Sequence, residues 1–277
     1  MERNELLRAL WENYTLMTPS AKRIREIFEE RGEKTVNDHI AIRTFNDPRV
    51  NIEVIAGPIK KMGYVEKGDY EFKDKKLFAH HYEHPSQKYA PKIFISELLL
   101  EHFSDDLRKV VNKLLDEIPF ADIQMDELLL KGRLWHINQS DYELLRKESE
   151  YASWMYVFGF CANHFTVFVN ALKTLHTLQE VNEFLKSKGF KLNDAGGEIK
   201  GTPEQLLEQS STIADMVSVQ FDDGLKEIPS CYYEFARRYL MNNGELYQGF
   251  IAASADKIFE STDVSLVEKV LSKNTKE

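Results

Sequence analysis

Cysteine is nearly absent from this chain of 277 residues, which carries only Cys161 and Cys231. Two thiols without a CxxC spacing exclude a disulfide framework and a zinc ribbon. They fit a reducing compartment, so the cytosol is the expected location. Also missing is any basic block or interleaving of basic and aromatic residues, and with 36 Lys and Arg against 45 Asp and Glu the formal charge is −9. A nucleic-acid partner is therefore not expected. The N-terminus, MERNELLRALWENY, spreads its charges through a periodic pattern and lacks the apolar run of a signal peptide. No Gly-rich phosphate loop, HExxH or GxSxG motif occurs. One stretch, 151–172, runs 22 residues without Asp, Glu, Lys or Arg. Asn163, His164, Thr166 and Asn170 interrupt it, and its second half is β-branched and aromatic, so no membrane span is expected.

What is present is ample apolar surface: 43% of residues are hydrophobic and 12% aromatic, enough for a sizeable core. NELLRALWENYTLM and SAKRIREIFEER space their apolar residues as two amphipathic helices, the second capped by Ser20. HIAIRTF (39–45) alternates as a strand, and NIEVIAGPIKKMGY reads as a short helix ending near Gly63. YEFKDKKLFAHHYEH and PKIFISELLL supply further strands. From about Ser104 to Lys147 the chain is charged and helical, with DDLRKVVNKLLDEI and SDYELLRKESEYASWMY as its helices. CANHFTVFVN (161–170) then reads as a strand and TLQEVNEFLKSKGF as a helix with Gly189 near its end. DAGGEIKGTPEQ is loop-like, and ADMVSVQFDDGLKEIPSCYYEFARRYL predicts two strands about a turn at Asp223-Gly224.

The two halves share an order. Asp38-His39 opens one leading strand and Asn163-His164 the other, 125 residues later, and each is followed by a helix and more strands. Each half ends on a strand with a glutamate in an apolar run: Glu97, 58 residues after His39, and Glu234, 70 residues after His164. This weak internal repeat predicts an α+β fold of duplicated βαβββ-like modules. Residues 1–34 form N-terminal helices, 35–103 the first module, 104–150 a helical connector, 151–260 the second module and 261–277 a tail, all in one domain.

In a strand, residues two apart share a face and rise about 3.3 Å each. His39, Ala41 and Arg43 therefore point one way, with the His39 and Arg43 Cα atoms about 13 Å apart. His164, Thr166 and Phe168 share a face, as do Tyr232, Glu234 and Ala236. If these faces line one cavity, two imidazoles and a carboxylate converge. Two His and one carboxylate with open positions opposite suit non-haem Fe(II) oxygen chemistry, in which a 2-oxo acid chelates the metal and one position remains for O₂. Arg43 then clamps a second, distal carboxylate through its planar fork. The bland readings stand beside this one: a lone strand histidine is more often a hydrogen-bonded core residue, and Glu234 could pair with Arg237 or Arg238. Glu97 shares the claim of Glu234 by repeat symmetry, and the pattern does not choose between them. His80, His81 and His84 form a rival cluster, but neighbours on a strand face opposite sides, so an exposed hairpin or pocket rim is expected there. His102, His136 and His176 read as surface or packing residues.

DHIAIRTF, ANHFTVFVN and YYEFARR, in that order, resemble the DUF1338 family, whose characterised members are the 2-oxoadipate dioxygenase/decarboxylases, also called 2-hydroxyglutarate synthases. The likeness runs from about Thr35 to about Phe259. It implies a vicinal-oxygen-chelate-like fold, with paired βαβββ modules around one metal. It also implies that the catalytic metal ligands are His39, His164 and Glu234, rather than Glu97, and that Arg43 joins the two histidines in binding substrate. The implied cofactor is Fe(II), with Zn or Mn able to occupy the same ligands, and the implied partners are a 2-oxo acid and O₂. In the implied reaction 2-oxoadipate loses CO₂ and is hydroxylated to 2-hydroxyglutarate, under a segment near Gly249 to Ser254 that closes the pocket. The chain is shorter than the characterised enzymes, which carry extra segments around that pocket. Two other readings fit the same residues: a Zn- or Mn-dependent hydrolase or lyase on this scaffold, and a non-catalytic binding module. No oligomeric state follows from the sequence.

Overall fold

NDHIAIRTF forms strand β1 (Asn37–Phe45), buried at every position but the first. Burial on both faces is what a strand inside a covered sheet requires. The computed structural model describes residues 2–87, 89–123, 125–259 and 267. Before β1 come α1 (Arg3–Met17) and α2 (Pro19–Glu30); after it come α3 (Ile52–Lys61), β2 (Val65–Phe72), β3 (Leu77–Glu83) and β4 (Lys92–Leu98). A helical connector holds α4 (Asp105–Asp116), α5 (Phe120–Ile123), α6 (Leu128–Lys131), α7 (Gln139–Glu148) and α8 (Glu150–Phe158). The second half follows as β5 (Ala162–Phe168), α9 (Leu178–Ser187), β6 (Lys200–Thr202), β7 (Leu207–Ser211), β8 (Met216–Phe221), β9 (Gly224–Pro229), β10 (Tyr233–Arg238) and α10 (Ala252–Phe259). The proposed tail, 261–277, lies outside the described residues apart from Val267.

The main sheet has the order β2-β3-β4-β1-β5-β10-β7-β6. Each half is a βαβββ module whose first and last strands pair in parallel, β1 with β4 and β5 with β10. The two modules meet where β1 runs antiparallel to β5. The α+β architecture of paired modules is therefore the one the repeat predicts. The sheet curls: its two edge strands, β2 and β6, both pack against α10. On the convex side α1 covers β5 and β10, with Trp11 and Tyr14 against Phe165 and Tyr233, and the Tyr14 hydroxyl donates to Tyr232 O at 2.5 Å. Those aromatics alternate with His164 and Glu234 along their strands, so packing outside fixes what faces inside.

Four local expectations change. SDYELLRKESEYASWMY is two helices: Ser149 has extended backbone and its hydroxyl accepts from Ala152 N, which starts α8 afresh. Ser20 is not a cap; it lies in the first turn of α2 and its backbone N–H donates to Asp215, 195 residues away. DAGGEIKGTPEQ and the residues after it hold β6 and β7. β7, LEQSS, has no apolar alternation because beyond Leu207 its buried positions are polar, with Gln209 Nε2 donating to Glu234 and the Ser210 hydroxyl to Asn182. ADMVSVQFDDGLKEIPSCYYEFARRYL contains three strands, since β8 and β9 form a hairpin of their own before β10 returns to the main sheet. The 151–172 run divides into α8 and β5, and among the described residues no helix is long and apolar enough to cross a membrane.

One turn is set by glycine. Gly159 ends α8 with φ +70°, and a Cβ there would lie 2.4 Å from Gly132 O, so only glycine brings the chain from α8 into β5.

Glu33, 4% exposed, ties the end of α2 to the turn after β5. Its carboxylate accepts from Lys173 N at 2.6 Å, Thr174 N at 2.8 Å and the Thr174 hydroxyl at 2.6 Å. Burial raises its pKa, but these bonds outweigh burial and hold it below the ordinary carboxylate value. Glu33→Ala is expected to cost about 2–3 kcal/mol in urea unfolding at pH 7, because three donors lose their acceptor. The depressed group contributes stability above its unfolded pKa, about 4.3. The gap between wild type and variant should therefore shrink as pH falls through the lower folded value; an unchanged gap at pH 3 counts against the assignment.

Candidate metal centre

A register shift between Asn37 and Ile40 marks a bulge at the start of β1. Bulges re-aim side chains, and here Asp38 and His39, neighbours in sequence, touch: His39 Nδ1 lies 2.8 Å from Asp38 Oδ1. A carboxylate only accepts, so Nδ1 carries the proton and Nε2 is left with a lone pair. The second half repeats the device with Asn163 Oδ1 3.0 Å from His164 Nδ1. Glu234 stands opposite Thr166 in the parallel pair of β10 and β5. Its Oε2 is 3.2 Å from His164 Nε2, and its Oε1 is 3.5 Å from His39 Nε2. Gln209 Nε2 donates to the same Oε1 at 2.6 Å, and the Thr166 hydroxyl lies 3.0 Å from His39 Nε2. The ligand atoms of His39, His164 and Glu234 all lie within 4.8 Å of one another, and all three residues are buried.

The chemistry of this donor set fits a cation. Burial pulls the His164 pKa down, with the charges of His39 and Arg43 adding to it, and the pull of Glu234 only partly offsets this. Burial pushes Glu234 up, yet the two neighbouring imidazoles and the hydrogen bond from Gln209 bring its carboxyl below the ordinary value. An ionised carboxylate thus faces two imidazole lone pairs in a dry interior, which is costly without a positive charge between them. Donors on adjacent positions of an ion with bonds of about 2.1 Å stand about 3 Å apart, close to the separations found here.

Arg43, 3% exposed, lies two pleats beyond His39, where β1 has run past the start of β5. Its guanidinium carbon sits 4.9 Å from the ring centres of both Tyr151 and Trp154 on α8. The Tyr151 hydroxyl accepts from Thr44 N and donates to Ser96 O, which fixes α8 over this end of the sheet. Arg43 and Tyr151 also line a cavity of about 380 Å³ bordered by Lys75, Lys76, Arg146 and Glu150; the three converging residues do not line it. At the other end Phe250 lies inside the curl, its ring 4.8 Å from His39, 4.9 Å from Phe94, 5.4 Å from His81 and 5.8 Å from Tyr70. Phe250 belongs to the Gly249–Ser254 segment to which the resemblance assigns closure.

Sequence-predicted residues separate as follows. His39, His164 and Glu234 come together. Glu97 faces the other side, where its carboxylate accepts from Ile52 N at the start of α3. Glu234 is paired with the residue two beyond His164, whereas the residue two beyond His39, Ala41, pairs with Phe94. Phe94 is therefore the repeat partner of Glu234, and Glu97 is three residues out of step. Arg238 pairs with Asp38 and not with Glu234. His80 and His81 point to opposite faces, His80 to Asp69 at the surface and His81 inward to Tyr70 and Phe250. His80, Glu66 and Asp69 bring ligand-type atoms within 4.8 Å, but both carboxylates are exposed. His84 lies against Tyr64, and His136 is exposed. Sequence reasoning missed Asp38, Asn163, Gln209 and Arg238 as parts of the site, and named Phe250 only within the segment the resemblance assigns to closure; the repeated Asx-His pair was the available signal for the first two.

Paired βαβββ modules around a buried group of two histidines and a glutamate define a class of enzymes with a metal site in a curled sheet. The chain belongs to the 2-oxoadipate dioxygenase/decarboxylase family, whose sequence profile matches residues 3–246, and is thereby an oxidoreductase. A curated relative, the chloroplastic 2-oxoadipate dioxygenase/decarboxylase of Arabidopsis thaliana, is 34% identical over 90% of this chain and 74% of its own length. The hydroxyglutarate synthase of Oryza sativa, solved in complex with 2-oxoadipate, superposes with a TM-score of 0.88 at 31% identity, over 95% of this chain and 93% of that one. A protein of Shewanella frigidimarina named a putative hydrolase has a TM-score of 0.86 at 51% identity, over 90% and 97%.

The two glutamates separate experimentally. Glu234→Gln should leave the purified protein with little bound metal by elemental analysis, whereas Glu97→Gln should retain the wild-type content. Equal content in both variants counts against the ligand assignment.

Proposed function

We propose that this chain is an Fe(II)-dependent dioxygenase that takes a 2-oxo diacid, 2-oxoadipate being the best-supported one, with O₂ to CO₂ and the hydroxy diacid one carbon shorter, 2-hydroxyglutarate. The observation that carries this reading is the convergence of His39, His164 and Glu234, three donors that suit iron and leave positions for a chelating substrate and O₂. The 2-oxoadipate complex of the rice relative supports the substrate class. Two free, buried thiols support a reducing setting.

His39, His164 and Glu234 would hold the iron, which supplies the redox chemistry that lets O₂ react with a 2-oxo acid. The atoms balance without a further reductant: both oxygens of O₂ end in the hydroxy diacid, one in the carboxylate formed at the former keto carbon and one in the new hydroxyl, while CO₂ leaves with the oxygens of the lost carboxylate. Asp38 and Asn163 hold the imidazoles with Nε2 inward. Gln209 keeps the Glu234 carboxylate aimed at them. Arg43 binds the distal carboxylate of the diacid and so decides which end enters, its guanidinium held flat by Tyr151 and Trp154. Phe250, Phe94 and Tyr70 exclude water from the reacting end.

Protein loaded anaerobically with Fe(II) should consume O₂ and release CO₂ in equal amounts with 2-oxoadipate. No uptake with it or with shorter and longer 2-oxo diacids overturns the reading, and oxygen-independent turnover of the Zn-loaded protein favours a hydrolase or lyase instead. Arg43→Met should lower kcat/KM for the diacid about 10²-fold or more, the worth of a bidentate charge-assisted pair. A 2-oxo monoacid of the same length should be turned over equally by both proteins; a parallel loss would show that Arg43 does not read the distal carboxylate.

A further inference from the structure

Arg238 stands four residues beyond Glu234 on β10, and since strand residues two apart share a face, it points into the curl as Glu234 does. β10 runs parallel to β5 and opposite to β1, so Arg238 lies at the end of the site away from Arg43. It is 1% exposed. Its Nε donates to Asp38 Oδ2 at 2.6 Å and its Nη2 to Asp38 Oδ1 at 2.8 Å, a bidentate fork. The remaining nitrogen, Nη1, donates to Tyr247 O at 3.0 Å and Gly249 O at 2.8 Å. Its guanidinium carbon lies 5.2 Å from the centre of the Phe250 ring, whose edge meets His39. One side chain therefore grips both the partner of a metal ligand and the backbone of the strap that covers it.

We propose that Arg238 is a positioning residue for His39, acting through Asp38, and that it couples metal binding to closure of the 247–250 strap. The inference rests on the metal-centre reading and is independent of the substrate. The contrast between the two halves supports it. His164 is held by a neutral amide, Asn163, while His39 is held by a carboxylate that is itself fixed by a cation. A carboxylate behind an imidazole sets the ring orientation and raises its basicity as a ligand, and losing such a partner typically weakens metal affinity about 10–100-fold. Because the fork and the strap carbonyls share one rigid guanidinium, a shift of the strap moves the fork, and a bound metal that fixes His39 steadies the strap.

The test uses Co(II) as the probe metal, whose visible spectrum reports ligand geometry, together with backbone hydrogen exchange. Co(II) should bind wild-type protein and slow exchange at the amides of residues 247–251. Asp38→Asn keeps an acceptor for His39 Nδ1, copying the second half, and is expected to bind Co(II) about 10–100-fold more weakly. Arg238→Lys keeps the charge but not the fork, and should weaken Co(II) binding though it touches no ligand. In both variants, shown folded by circular dichroism, Co(II) should no longer protect the strap. Asn163→Ala serves as the contrast: affinity falls, yet protection persists at saturating Co(II), because its contact leads to His164 and not to Arg238. Wild-type affinity, spectrum and protection in Asp38→Asn overturn the proposal, whether or not Arg238→Lys folds. A wild-type protein that binds no Co(II) overturns the metal reading along with it.

Discussion

Antiparallel pairing of β1 with β5 sets the middle of the sheet, and everything at the site depends on it. Ala41 stands opposite His164, which brings His39, two residues earlier on the same face, into ring contact with it at 5.6 Å. Each strand then recruits its own parallel partner, and β10 delivers Glu234 beside His164. A register slip of one residue on either central strand would turn its histidine to the convex face. The bulge at the start of β1 and the aromatic packing of α1 on β5 and β10 hold that register.

Such a centre is expensive to bury. Asp38, His39, Arg43, Lys92, His164, Glu234 and Arg238 are all at or below 9% exposure. Charged groups persist in an apolar interior when each is met by an opposite charge or a donor. Arg238 meets Asp38, and although burial raises the Asp38 pKa, the charges of Arg238 and Lys92 with the hydrogen bonds from His39 and Arg238 leave its carboxyl well below the ordinary value. Glu234 is met by two imidazoles and Gln209. The aromatic layers on both sides of the sheet supply the stabilisation that offsets these desolvation costs.

Duplication explains the architecture, and departure from symmetry explains the chemistry. The two modules match strand for strand, yet the glutamate of the second is answered by Phe94 in the first, Arg43 by Phe168, and Asp38 by Asn163. One module thus contributes a histidine with a charged partner and an arginine reaching away from it. The other contributes a histidine and a carboxylate. A hairpin, β8 and β9, is inserted only in the second.

The period of two in HIAIRTF and NHFTVF, the helical spacing around them and the repeated Asx-His pair were enough to place two histidines and an arginine on strand faces and to anticipate paired modules. These are local properties, carried by side-chain alternation along a few residues. The choice between Glu97 and Glu234, left open by the spacing alone, turned on a parallel register that no local pattern records. β6 and β7 escaped notice because most of their buried residues are polar and bond to distant partners such as Glu234 and Asn182. The same holds for Asp215 starting α2, Arg238 gripping Asp38 and Phe250 lying on His39, contacts between residues some 200 apart that form only once the sheet has curled. Sequence by itself determined which residues could do the chemistry. Tertiary structure decided which of them meet, because a buried charge chooses its partner by position in space and not by position in the chain.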